Sequence, residues 1–149
     1  MRKHLSTILL VLILITGLSL LLYPTVSDYW NTLHVSAAVT SYAQQVSSLD
    51  NGQCSELLSA ARAYNQSLSG RDNPYVLPAE QKAQYESLLN LDGTGIMGYI
   101  EIPNIDLSLP IYHGTDEAVL QVAVGHLDWT SLPVGGGNTP FVLFRPRGV

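Results

Sequence analysis

Hydrophobic and polar positions change period three times along this chain. Arg2, Lys3 and His4 precede an uncharged apolar run from Leu5 to Leu22, whose polar members are Ser6, Thr7, Thr16 and Ser19. At helical rise such a run spans about 27 Å, close to the thickness of a bilayer's hydrocarbon layer. From His34 to Leu49, apolar residues recur at Val35, Val39, Tyr42, Val46 and Leu49, in steps of four and three. That spacing predicts one face of a helix. Asp50-Asn51-Gly52 breaks it, and a second helix is predicted from about Gln53 to Ser69, with Cys54, Leu57, Leu58, Ala61, Tyr64 and Leu68 on its apolar side. Gly70 fits its stop. Pro78 suits the first turn of a short helix over Ala79–Leu89.

The period then drops to two. Ile96, Gly98, Ile100 and Ile102 alternate with Met97, Tyr99 and Glu101, which predicts a strand. Pro103-Asn104 turns the chain, and Ile105, Leu107, Leu109 and Ile111 predict a second strand facing the same core. Thr115 is placed to cap a short helix from Asp116 to Ala123. The apolar run Phe141–Phe144 reads as another strand. Two or three strands neither close a barrel nor bury both faces of a sheet, so the pattern predicts an incomplete β-domain behind helices.

The flanks of the first run decide its role. The positive residues predict a cytoplasmic N-terminus with the rest outside. A cleaved signal peptide is the rival reading; the length of the run and the lack of small residues spaced for cleavage after Leu22 favour an anchor. Tyr23, Tyr29 and Trp30 suit the lipid–water interface. The expected organisation is a cytoplasmic flank and transmembrane anchor over 1–23, an extracellular helical collar over 24–92 with a loop at 70–78, and a β-domain over 93–149.

Composition narrows the chemistry. The 149 residues are 46% hydrophobic and 13% charged, with a net charge of −5. Seven Lys and Arg residues in an acidic chain make no basic stripe, so nucleic acid is not an expected partner. The single cysteine, Cys54, excludes an internal disulfide and a cysteine zinc cage; its place on an apolar helix side reads as a buried structural thiol. His113 and His126 are thirteen residues apart, not a helical i, i+4 pair, and read as packed or hydrogen-bonding residues rather than metal ligands. Gly135-Gly136-Gly137 lacks the Lys-Ser/Thr of a phosphate loop and reads as a turn. Tyr42, Tyr64 and Tyr85 read as core residues of helix faces. No cofactor and no metal is expected.

Several short motifs occur in order. Met97-Gly98-Tyr99-Ile100-Glu101-Ile102-Pro103-Asn104-Ile105 is followed by Leu109-Pro110-Ile111-Tyr112-His113-Gly114-Thr115. Gly125-His126-Leu127, Thr130-Ser131-Leu132-Pro133-Val134-Gly135-Gly136 and Asn138-Thr139 come next. This succession resembles the opening of the catalytic domain of class C, pilus-building sortases, most densely from Met97 to Leu143. The resemblance implies a sortase-type β-barrel of about eight strands, here incomplete, mainly β with N-terminal α, behind a transmembrane helix and a helical collar. It also implies a reaction. A cysteine thiolate attacks the Thr–Gly bond of an LPxTG-like sorting signal and holds a pilin subunit as a thioester. A lysine amine of the next pilin resolves it to an isopeptide bond, with a histidine assisting proton transfer and an arginine steadying the oxyanion. Pilin subunits and membrane lipid are the implied partners.

By the same resemblance, Asp72-Asn73-Pro74-Tyr75 matches the lid of these enzymes, an Asp-Pro-aromatic tripeptide over the active site. Here an Asn intervenes, so either Asp72 is displaced by one residue or Asn73 takes the acid's place; an ordinary Asx-Pro turn is the alternative, and the matching order of the surrounding motifs favours the lid. The family's histidine lies in a Ser-Gly-His-Arg-Gly-like stretch; this chain reads Phe144-Arg145-Pro146-Arg147-Gly148, with Pro146 at the histidine's place. Proline has no titratable group to move a proton. Arg147 matches an arginine beside the family's histidine, not the oxyanion arginine, and the family's cysteine and oxyanion arginine fall beyond Val149. No catalytic residue is therefore assigned, and the chain as written is expected to be inactive. Phe-Arg-Pro-Arg is codable so that a one-base shift reads Ser-Gly-His, which makes a single-base insertion after Leu143 an expectation. The alternative is a membrane-tethered extracellular interaction module without enzymatic activity.

Overall fold

The computed structural model describes residues 2–69, 71, 73–135 and 140–145. The chain divides into two compact units, Met1–His34 and Val35–Val149. Helix α1, Arg2–Ser48, supplies the whole of the first and opens the second. It passes through Pro24 without ending. Proline removes one rung of the hydrogen-bond ladder, and the long helical stretches on either side hold the backbone in register across the gap. From Ile8 to Leu22 the large apolar side chains lie open, between 46% and 73% exposed. One helix long and apolar enough to cross a membrane is therefore present near the N-terminus, a candidate anchor.

In the second unit, Asp50 separates α1 from α2, Asn51–Ser67. Its side chain accepts from Gln53 N at 2.8 Å, and Gln53 Oε1 accepts from Asp50 N at 3.0 Å. This reciprocal capping box satisfies two otherwise orphaned N–H groups, and it starts the helix two residues before the expected position. Helix α3 covers Ala79–Ser87, with Pro78 at its N-cap.

Strand β1, Ile96–Ile102, pairs antiparallel with β2, Leu107–His113, across a 3₁₀ turn at Pro103–Ile105. Helix α4 is a single turn, Glu117–Leu120, followed by β3, Val124–His126, and β4, Leu143–Phe144. The sheet order is β1-β2-β3-β4, with β2 and β3 parallel and the other pairs antiparallel.

Three sequence expectations shift here, and one strand is new. The register slips between Ile96 and Gly98, so Ile96 and Met97 are both buried, instead of alternating. A bulge of this kind places two successive residues against one partner. Ile105 is 66% exposed, because the 3₁₀ turn removes it from the strand. Asp116, not Thr115, holds the N-cap position of α4, and no side chain caps it there. Strand β3 had no expectation at all.

The core of this unit joins α2 and α3 to the sheet. Ala61, Tyr64, Tyr85, Met97, Ile111 and Leu132 form it, with Leu68, Leu88, Leu89, Ile100, Val134 and Leu143 packed around them. Tyr42 of α1 donates its hydroxyl to Met97 O at 2.8 Å. Burial, and then the Asp92 carboxylate, push that phenol up to about 12, so it stays a donor.

Candidate functional site

Tyr85 is the hub of the most connected polar cluster. Helix α3 carries it into the core, where it is 1% exposed. Its hydroxyl accepts from Gly114 N at 3.1 Å and lies 3.0 Å from His126 Nδ1 and 3.1 Å from His126 O. His126, wholly buried on β3, reaches Ser131 O with Nε2 at 2.9 Å and Thr130 Oγ1 at 3.2 Å. Nε2 facing a carbonyl must donate, which leaves Nδ1 to accept the Tyr85 proton. Burial lowers the pKa of His126; the bond to Ser131 opposes this, His113 adds to it, and Asp128 opposes it. Burial likewise raises the Tyr85 phenol far above its ordinary value, against the bond from Gly114 N. Both groups are thus held neutral, and their bonds are saturated by the protein. The arrangement positions β2 and β3; it does not present a free acid or base.

His113 ends β2 with its ring edge-on to Tyr85, centroids 4.8 Å apart. Its Nδ1 is 2.9 Å from Gly95 O and its Nε2 is 2.9 Å from Leu88 O. It ties the end of α3 to the entry of β1. Beside it opens a polar cleft of about 380 Å³, whose wall includes Lys82, Glu86, Thr94, Asp116 and Asp128. Among the described residues, no group of three or more His, Cys, Asp or Glu side chains could hold a metal ion.

The loop after α2 is a second feature. Asn73 Oδ1 accepts from Tyr75 N at 3.1 Å, an Asx-type turn over Pro74. The Tyr75 ring stands edge-on to Trp129, with centroids 5.2 Å apart at 76°. Asn73, Pro74 and Tyr75 are thereby brought to one place; Asp72 lies outside the described residues. So do Pro146, Arg147 and Gly136–Asn138. Cys54 is half-buried on α2 and lines an apolar groove of about 270 Å³ with Tyr42, Leu57, Leu58, Leu89 and Met97. Among the described residues, no His, Asp, Glu or Lys side chain lines that groove.

Sequence reasoning missed Trp129, Arg71 and the role of Asn65. Trp129 belongs to no periodic stretch. Asn65 had a signal, since it is an amide one residue after Tyr64 on a face otherwise apolar.

No protein-family model matches the chain, and no curated protein does. Solved structures do. Sortase C1 from Streptococcus agalactiae is 37% identical with a TM-score of 0.70, covering 76% of this chain and 58% of that one. The chain is class C sortase-like. Streptococcus pneumoniae sortase C is 32% identical to this sortase-like chain, with a TM-score of 0.58, covering 76% of it and 56% of its own length. Clostridium perfringens sortase C, solved in complex with the C-terminal cell wall sorting signal motif, is 34% identical with a TM-score of 0.55, covering 72% and 50%. The sortase-like chain therefore spans a little over half the length of the solved sortases it matches. It has a sortase fold, a long apolar N-terminal helix followed by a small mixed sheet, and its likeness is to a family of cysteine transpeptidases.

Proposed function

We propose that this chain supplies the anchor, collar and first barrel strands of a sortase that joins pilin subunits through LPxTG-like sorting signals. The 37% identity over three quarters of the chain supports this reading most strongly. The reaction runs through a thioester on a cysteine and ends in a lysine isopeptide bond. The N-terminal helix anchors the protein in the cell membrane, with the remainder outside.

On this reading the 149 residues by themselves are inactive. Their one cysteine, Cys54, lines an apolar groove on α2, and a nucleophilic thiol needs an electropositive, accessible site. Proline at 146 supplies no proton shuttle. The loop through Asn73, Pro74 and Tyr75 is the lid, with Asp72 or Asn73 in the place of the acid.

A segment exchange tests the function. Residues 35–143 replace the matching segment of Streptococcus agalactiae sortase C1, and the hybrid is given a fluorescent LPxTG-like peptide with a lysine acceptor. Transfer is expected, and is expected to vanish when the host's cysteine becomes alanine. A folded hybrid that transfers nothing contradicts the proposal. The unmodified 149-residue chain is expected to transfer nothing, and Cys54→Ala is expected to leave the hybrid's rate unchanged. Resequencing the gene across codons 143–147 tests the one-base insertion, which fails if the shifted frame does not encode Ser-Gly-His.

A further inference from the structure

We infer that His113 is an imidazolium clasp: with a proton on each ring nitrogen it holds the turn after α3 against the start of β1, and it releases that turn when one proton leaves. This stands on hydrogen-bond geometry, whatever reaction the complete protein performs.

Both ring nitrogens of His113 face carbonyl oxygens at 2.9 Å, Nδ1 toward Gly95 O and Nε2 toward Leu88 O. A carbonyl only accepts, and a neutral imidazole has one N–H. Either neutral tautomer would therefore press a lone pair against a carbonyl oxygen. The doubly protonated ring donates to both. His126 is the contrast, since its Nδ1 meets a hydroxyl that can donate. The two histidines are partners in the β2–β3 register, and a neutral His126 leaves the charge to His113.

What the clasp holds is strained. Between Leu88 and Gly95 the chain leaves α3 and enters β1, and Leu89 has a φ of 61°. Leucine rarely adopts that left-handed conformation, so the turn needs outside ties. The Tyr42 hydroxyl lies 3.2 Å from Leu89 O, but its proton goes to Met97 O at 2.8 Å. His113 fixes the carbonyl on the other side of Leu89. Its Nδ1 and its backbone N–H both fix the far end, at Gly95 O.

The surroundings suit a cation. Lys82 and Glu86 of α3, Asp116 before α4 and Asp128 after β3 line the cleft beside the ring, three carboxylates against one ammonium among the described residues. Tyr85 and His126 are neutral, and Asp92 on the turn itself is engaged by Gln45 and Thr94. Loss of a ring proton thus loosens Asn90, Gly93 and Thr94, which belong to the wall of that cleft. The sign is fixed: the clasp is closed in acid and opens as pH rises.

Hydrogen exchange on the full chain in detergent micelles tests this, corrected for the pH dependence of exchange itself. From pH 5.5 to 8.5, opening at the Gly95 and His113 amides is expected to rise about tenfold, the factor a charge-assisted bond contributes, with no rise along α2. The rise is expected to share its midpoint with loss of a His113 ring proton, read from ring-nitrogen NMR shifts. His126→Gln is expected to keep the rise, and His113→Gln to abolish it with the turn open at both pH values. Flat or falling opening in the wild type overturns the clasp, as does a rise shared by α2 or a midpoint that departs from the ring's. Should His113→Gln not fold, the wild-type and His126→Gln profiles decide.

Discussion

The side chain of Asn65 meets the backbone of Leu132 as a neighbouring strand would. Its Nδ2 donates to Leu132 O at 3.0 Å, and its Oδ1 accepts from Leu132 N at 2.7 Å. Both residues are buried. An amide offers one donor and one acceptor side by side, which is what an unpaired peptide needs. Helix α2 is fastened to the segment between β3 and β4 by this pair.

Replacing Asn65 with leucine should therefore be costly although the branching at Cγ is kept. It leaves a buried N–H and a buried C=O unpaired, at about 1–3 kcal/mol each. Asn65→Asp keeps the acceptor for Leu132 N but turns a carboxylate oxygen on Leu132 O, so it too is expected to destabilise. Urea denaturation, read as a lower midpoint at constant slope, checks both.

His126 sets a pH dependence. Its folded pKa lies below the ordinary value of 6.5, chiefly through burial. The unfolded chain therefore takes up a proton that the folded chain resists. The contribution is fully present above about pH 6.5 and is lost as pH falls from there through the lowered folded value. Stability is expected to decline over that window in wild type and to decline less steeply in His126→Gln, measured by denaturation midpoints in a pH series.

Tyr85 and His126 should behave as one unit. Tyr85→Phe removes the proton that Nδ1 accepts and the acceptor for Gly114 N, at about 1–3 kcal/mol. The double variant with His126→Gln is expected to fall short of the sum of the singles, since both break the same bond. Strict additivity would show that the hydroxyl serves His126 O instead.

Gly125 has no room for a side chain. A Cβ there would lie 2.5 Å from Gly114 O and 3.0 Å from a Leu120 methyl. Because the first contact is with backbone, Gly125→Ala must displace β3 from the turn after β2. A loss of about 1–3 kcal/mol or more is expected, whereas Gly98→Ala, with open space around it, should change stability far less.

The helices and the first two strands were legible because each repeats its period several times. Val39, Tyr42, Ala61 and Tyr64 fall on the faces that their spacing marks. Strand β3 was not legible: Val124-Gly125-His126 is too short to show alternation, and it is fixed by pairing with residues thirteen positions earlier, His113 with His126. The capping box was written in Asp50 and Gln53 yet read as a stop, because a cap and a break use the same residue types. At the candidate site, motif order pointed to Asn73, Pro74 and Tyr75. What they touch was hidden, since Trp129 and Arg71 approach them through tertiary contacts that no spacing encodes.

The parallel alignment of β2 with β3 carries a topological consequence. Strands that run the same way cannot be joined by a tight turn, so the ten residues from Gly114 to Ala123 serve as a return path from one end of the sheet to the other. Their length is thus a construction tolerance. Added residues there would merely slacken the bridge, while removing a few would leave the third strand unable to reach its berth.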